Sequence, residues 1–422
     1  MVTGNAYPAK FARDTAQTVF AALPARDQAF IRAQAERHRF TQQELRLIVE
    51  IAADFAAWNA ASIIEAWPTI PPSPVNGKPA RQRLLAQLHT SWEALKTTPP
   101  SYHGFGTHSK PASAKPALGV RAKPKLGLGH CPVASTRTRC CNLMTLDAVE
   151  NCGFGCSYCS IQSFYNGETI TFDSQFADKL RALELDPERT YHIGTGQSSD
   201  SLLFGNRHST LDALTEFAHR HPNVILEFKT KSKNVAYLLH NDIPKNILST
   251  WSLNTPAIIT NEEHQTASLT ERLRAARKVA DRGLLVGFHF HPMVHYDRWR
   301  RDYAQLFESV VQQFDPAEVA LVSFGTLTFT KSVIRTLRAR QVKSKVLQMP
   351  LVDADGKLSY PEPTKLELFR FAYQRLAPWH ADVFFYLCME NPRLWQPVFG
   401  YDYPTNDAFE TAMKTHYINK IK

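Results

Sequence analysis

The chain has no apolar run long enough to span a bilayer, and its first ten residues hold no apolar signal core. Both absences point to a soluble cytoplasmic protein. Acidic residues are missing from the whole stretch between Lys96 and Thr145, although the chain holds 39 Asp and Glu in all. Cysteine is sparse, seven in 422 residues, and without a secretory signal these thiols are expected to stay reduced. What remains is ordinary for a globular protein: 44% hydrophobic and 21% charged residues. The length suits one large α/β domain plus an additional segment. A net charge of +10 supports a polyanionic partner, but only weakly.

The few cysteines are concentrated. Asn151-Cys152-Gly153-Phe154-Gly155-Cys156-Ser157-Tyr158-Cys159 has the spacing Cys-x3-Cys-x2-Cys. Three thiolates this close in a loop can hold three irons of a [4Fe–4S] cluster. No fourth cysteine follows within ligand reach, so one iron stays open to a chelating small molecule. Gly153 and Gly155 are expected to supply the backbone angles that wrap a cluster, with Phe154 and Tyr158 shielding it from water. A structural zinc site with His130 or His192 as fourth ligand is the alternative, and three unrelated buried cysteines a further one. Zinc sites favour paired Cys-x2-Cys knuckles, and there is no second knuckle.

Residues 1–96 read as a helical extension. Thr41 and Glu44 form a capping-box pattern, followed by Leu45, Ile48, Ile51, Ala52 and Phe55 at helical spacing. Pro68, Pro71, Pro72 and Pro74 break the chain, and a second helix is expected over residues 80–95. Nothing in this region carries chemistry. Residues 97–141 form a basic Pro/Gly-rich arm containing Lys110, Lys115, Arg121, Lys123, Lys125, Arg137 and Arg139. It reads either as a phosphate-tracking element, with Tyr102 and Phe105 stacking on bases, or as a solvated linker. Cys131, Cys140 and Cys141 close it. Packing near the cluster loop is preferred for them over a second metal site, because adjacent cysteines rarely ligate one ion.

From residue 142 to 422 strand-like and helix-like runs alternate. Strands are expected over 143–149, 190–194, 223–228, 247–253, 284–290, 318–324 and 381–387, and a helix over 269–281. The alternation predicts an α/β fold, a partial (β/α) barrel of six or seven units with chemistry at the C-terminal strand ends. The cluster loop follows the first strand, as that placement requires. Asp353-Ala354-Asp355-Gly356 marks a late β-hairpin. His289 and His291 share a face of their strand, and His295 lies just beyond. Hydrogen bonding to substrate is the preferred role for these histidines over a second metal, since no carboxylate or cysteine is spaced to complete one.

The cysteine triad is the signature of radical S-adenosylmethionine enzymes. The ordered stretches Asp147-Ala148-Val149-Glu150, Gln197-Ser198-Ser199-Asp200, Phe228-Lys229-Thr230-Lys231, Trp251-Ser252-Leu253-Asn254-Thr255 and Arg274 to Ala280 resemble the spore photoproduct lyase family over residues 142–390. The resemblance implies a (β/α)6-type radical SAM barrel with Cys152, Cys156 and Cys159 on the cluster. S-adenosylmethionine would chelate the open iron, and its cleavage by an electron from the reduced cluster would yield a 5′-deoxyadenosyl radical. Ser199, Lys231 and Ser252 match cofactor-contacting positions, with Asp200 assisting. The implied function is repair of a thymine photoproduct in DNA, with an electron donor such as flavodoxin or ferredoxin. Two departures stand out. Gln197 occupies the place of the family's hydrogen-donating cysteine, and Ser160 that of a tyrosine directly after the third cluster cysteine. Tyr158 remains nearby as a catalytic candidate, and Cys388, ending the last strand-like run, is the candidate replacement thiol. The rival functions are radical modification of RNA, peptide or a small metabolite, and a cluster-containing, redox-responsive nucleic-acid-binding protein. In the family the late hairpin contacts DNA; here Asp353 and Asp355 make it a poor surface for phosphate.

Overall fold

The computed structural model describes residues 7–69, 78–108, 116–131, 137–165, 167, 169–340, 342–354 and 356–421. Pro71, Pro72, Pro74, Lys110, Lys115 and Asp355 lie outside them. The chain divides into two compact units, Met1–Pro111 with Thr328–Tyr360, and Ala112–Leu327 with Pro361–Lys422.

The first unit is built on helices α1 Tyr7–Ala16, α2 Ala25–His38, α3 Gln42–Trp58 and α4 Lys78–Thr97. α3 starts at the predicted capping box. The Glu44 N–H donates to Thr41 Oγ1 at 3.3 Å and the Thr41 N–H to the Glu44 carboxylate at 2.7 Å, satisfying two donors that a helix start leaves open. Leu45, Ile48, Ile51, Ala52 and Phe55 are buried, and among them sits a charge, Asp54. Arg338, from the helix Lys331–Ala339, grips it with two parallel bonds of 2.8 Å, and Trp92 of α4 donates a third at 3.1 Å. That buried ion pair ties a late segment to the N-terminal helices. The expected hairpin forms as Val352–Ala354 paired antiparallel with Lys357–Ser359, which also pairs with Thr328–Phe329. Tyr102 and Phe105 are 6% and 8% exposed and meet edge to face at 5.9 Å. Packed rings of this kind present no face to a base, so the stacking expectation is corrected.

In chain order the strands of the second unit are β1 Leu118–Arg121, β2 Leu128–His130, β3 Met144–Leu146, β4 Val149–Glu150, β5 Gly155–Cys156, β6 Ile170–Asp173, β7 Tyr191–Thr195, β8 Val224–Thr230, β9 Ile247–Ser252, β10 Glu263–His264, β11 Val286–Met293, β12 Val319–Thr326 and β13 Phe384–Leu387. Among the described residues the main sheet runs β13-β12-β11-β9-β8-β7-β3-β2. Its neighbours are parallel from β3 through β13, and β2 closes the edge antiparallel to β3. β12 is buried at every position and β8 at all but Lys229. Strands buried on both faces need cover on both, which helices outside and side chains inside provide. The result is a curled α/β half-barrel, as the alternation predicted.

The basic arm is less free than its composition suggests. β1 pairs with β6 and β2 with β3. Arg121 binds Glu150 at 3.0 Å, and Lys123, 8% exposed, reaches Glu150 at 3.2 Å while its N–H donates to Asp173. Arg139 pairs with Asp402 at 3.3 Å. The arm has no acids of its own, so the sheet and a distant loop supply them. Arg121, Lys123 and Arg139 thus each have a carboxylate partner within the protein.

Candidate cluster and cofactor site

The cysteine loop crosses the C-terminal mouth of the half-barrel. Asn151 turns the chain with φ +65°, and its side-chain amide donates to Gly167 O and Thr169 O at 3.2 and 2.7 Å. The left-handed residue is thus Asn151, rather than Gly153 or Gly155. Gly153 matters for closeness instead: a Cβ there would lie 2.9 Å from Leu203 Cδ2. β5 then carries Cys156 into a two-stranded ribbon opposite Glu263 of β10. Phe154 and Tyr158 are 7% and 9% exposed and wall off the loop. The Phe154 N–H donates to Cys152 Sγ at 3.4 Å, and the Cys159 N–H to Cys156 O at 3.2 Å.

Burial pushes the Cys152 thiol up to about 12, with Asp200 adding and the Phe154 amide opposing. Cys156 is raised further by burial, against the pull of Lys231. Cys152 and Cys156 each sense Cys159. Ligation must therefore release protons, and affinity for metal rises with pH. Among the described residues no three His, Cys, Asp or Glu side chains converge on a point suited to one metal ion. A zinc ion needs such a convergence, with donors about 2.0–2.3 Å from it. A four-iron cluster instead gives each thiolate its own iron, so three thiols spread over one loop fit it better.

The expected cofactor residues gather at the same mouth. β7 is followed by Gly196, whose φ of +76° and 2.7 Å approach of its Cβ position to Ser201 N admit no side chain without strain. The following turn presents Ser199, whose Oγ is buried with no hydrogen-bond partner, an arrangement that calls for a ligand. Asp200 is fully engaged. One oxygen accepts from the amides of Leu202 and Leu203 and from Thr230 Oγ1, and the other accepts from the Lys231 N–H at 2.7 Å. It ties the turn to the end of β8. Lys231 stands 6.0 Å over the Tyr158 ring; burial opposes its charge, but Cys156 and Glu263 keep it above its ordinary range. Ser252 ends β9, its carbonyl accepting from Arg272 at 2.8 Å.

Residues 151–357 match the family model of spore photoproduct lyase. This chain is related to the spore photoproduct lyases. A spore photoproduct lyase of Geobacillus sp. is 26% identical over 198 residues, covering 45% of this chain and 58% of that protein. The Clostridium acetobutylicum protein is 24% identical over 197 residues, covering 45% and 58%. The chain thus spans somewhat over half the length of these curated relatives. Among solved structures, a spore photoproduct lyase complexed with dinucleoside spore photoproduct superposes with TM-score 0.53 at 21% identity, over 64% of this chain and 82% of that one. A variant with bound AdoMet and the dinucleoside gives 0.52 at 21% identity, over 64% and 81%. These structural likenesses support the barrel fold.

The barrel interior beneath the mouth holds features that periodicity missed. Glu227, wholly buried in β8, hydrogen-bonds with His192 at 2.9 Å, His289 at 2.7 Å and Thr250 at 2.8 Å, and Lys229 lies 3.6 Å away. Burial alone would neutralise this carboxyl, but Lys229 and the two histidines hold it well below its ordinary range. His289 also bonds Ser323 at 2.6 Å, so its polar atoms are committed to the protein. The signal was an acid in the middle of an apolar strand, Val-Ile-Leu-Glu-Phe. His295 lies apart, against the Trp299 ring at 5.7 Å. Cys388 follows β13, its N–H donating to Phe324 O at 2.7 Å. Burial raises its thiol to about 12, and its neighbours include Cys131, Lys229 and Cys140. The Arg139 N–H donates to Glu390 O at 3.0 Å, which brings the end of the arm beside Cys388. Strand stagger in a curled sheet sets the start of one edge level with the end of the other. Cys131, Cys140 and Cys141 therefore share a seam with Cys388.

Proposed function

We propose that this chain is a radical S-adenosylmethionine enzyme that reverses a thymine photoproduct in DNA, cleaving a carbon–carbon bond after hydrogen abstraction. The observation that carries the reading is the Cys152, Cys156, Cys159 loop at the mouth of a parallel half-barrel, with the buried Ser199 hydroxyl left for a ligand. Cys152, Cys156 and Cys159 would hold the cluster. Lys231 offers an ammonium to a carboxylate, while Ser199 and Ser252 offer hydroxyls. Asp200 keeps the Ser199 turn against β8. When bound, the reduced cluster supplies the electron that cleaves S-adenosylmethionine to a 5′-deoxyadenosyl radical. Phe154 and Tyr158 exclude water from that chemistry. Gln197 has no transferable hydrogen atom, so Cys388, partly exposed on the seam, is the candidate donor. The electron would come from a small carrier such as flavodoxin or ferredoxin, in the cytoplasm. No helix among the described residues is long and apolar enough to cross a membrane.

The test is an anaerobic reaction with irradiated DNA, followed by mass analysis. Restored thymine together with 5′-deoxyadenosine is expected. Cofactor cleavage without thymine restoration would favour the second reading, radical modification of RNA, peptide or a small metabolite, to which Gln197 lends support. Iron binding with no cleavage at all would leave a redox-responsive nucleic-acid-binding protein. Reconstituted protein should hold about four irons, and Cys156→Ala should lose them, since two thiolates cannot hold three irons.

A further inference from the structure

Behind the cysteine loop lies a buried ionic assembly that no motif announces. The Tyr158 hydroxyl donates to Glu263 Oε1. Glu263 Oε2 pairs with Arg272 Nη2 at 2.5 Å; the two side chains are 1% and 0% exposed. Arg272 comes from the helix Leu269–Ala280 and donates three further bonds, to two backbone carbonyls and one hydroxyl. Nε donates to Ala267 O at 2.8 Å, Nη1 to Ser252 O at 2.8 Å, and Nη2 to Thr266 Oγ1 at 2.6 Å. On the loop side Glu263 is the strand partner of Cys156, and the Ser157 N–H donates to Glu262 O at 2.8 Å.

One guanidinium thus touches the end of β9 and, through a single carboxylate, Tyr158, one of the two residues between the second and third cysteines. We infer that Tyr158, Glu263 and Arg272 form a lock that holds Cys156 and Ser252 in fixed relation, and that Tyr158 is a positioning residue. The hydroxyl of Tyr158 is turned toward Glu263 and committed there, beside the Glu263–Arg272 ion pair. A group that takes part in the reaction would need that hydroxyl free toward the mouth. Arginine suits the place because its planar fork serves several acceptors from one rigid head. A buried charge pair of this kind contributes little net stability but is costly to break from one side, which makes it a device for fixing geometry.

The inference rests on the cluster reading for its purpose, but its test does not need the cluster. Apoprotein, wild type and Tyr158→Phe, is treated with iodoacetamide, and alkylation at Cys152, Cys156 and Cys159 is followed by peptide mass. Loss of a charge-assisted bond should loosen the loop and speed alkylation at Cys156 by about tenfold or more. After anaerobic reconstitution the variant should also lose iron faster than wild type. Unchanged alkylation and iron retention with abolished turnover would overturn the lock and make Tyr158 a reacting group. Arg272→Lys is the second variant, should Tyr158→Phe fail to fold. It keeps the charge but loses the fork, and it should raise the KM for S-adenosylmethionine more than it lowers kcat; an unchanged KM overturns the link to Ser252. Wild-type protein that takes up no iron would defeat the cluster reading alone, since the alkylation comparison would still report on the lock.

Discussion

His291 shows how a single side chain can set a pH limit. Burial holds its imidazole down to about 3, and His289, Lys231 and Lys229 add to the effect. A histidine whose folded value lies below its unfolded one binds fewer protons when folded. Stability from it is complete above about pH 6.5 and is lost as the pH falls toward 3, by about 1.4 kcal/mol for each unit in that window. Urea unfolding at pH 7.5 and 5.5 should show this loss in wild type and a flatter profile in His291→Gln. Gly196 makes the complementary point for backbone. Gly196→Ala combines φ +76° with the 2.7 Å clash against Ser201 N, and should destabilise by about 1–3 kcal/mol in urea unfolding. The Cys-x3-Cys-x2-Cys spacing and Ser199 were legible as residues. The unpartnered state of Ser199 was not, because it depends on what surrounds a hydroxyl.

Among elements, strands β7, β8, β9, β11 and β12 and the helix Leu269–Ala280 lie close to their expected ranges, since an apolar run bounded by turn residues is a local property. The arm is the contrast. Its composition said only that it lacks acids; β1 and β2 exist because neighbouring strands offer open edges. The late helix Lys331–Ala339 is likewise tied by a partner far away in sequence. Arg338→Met should leave Asp54 buried without its counter-charge and cost about 3–5 kcal/mol. Thermal unfolding monitored by Trp92 fluorescence should register it, because Trp92 Nε1 bonds the same carboxylate.

For the whole molecule, the prediction concerns nucleic acid. Arg121 and Lys123 are already paired with Glu150, so neutralising them should leave the salt dependence of DNA binding almost unchanged. Lys125 is exposed, and Lys125→Gln should reduce the log–log salt slope by about 0.9 if it meets a phosphate. A fall near three units on replacing all three would restore the arm as a phosphate track. The net charge of +10 cannot make that distinction, since it counts charges without their partners.

The α/β alternation, the Cys-x3-Cys-x2-Cys loop, the capped start of α3 and the late hairpin were legible from the residues alone. Each of these follows from spacing between near neighbours, and spacing survives without a fold. That Glu227 gathers His192 and His289, that Arg272 joins Ser252 to the cysteine loop, and that Cys388 lies near Cys131 and Cys140 came from the folded chain. Those groupings depend on the curl and stagger of the sheet, which bring together residues dozens to hundreds of positions apart. Burial then sets their charge states, and burial is a property of the surroundings rather than of the residue.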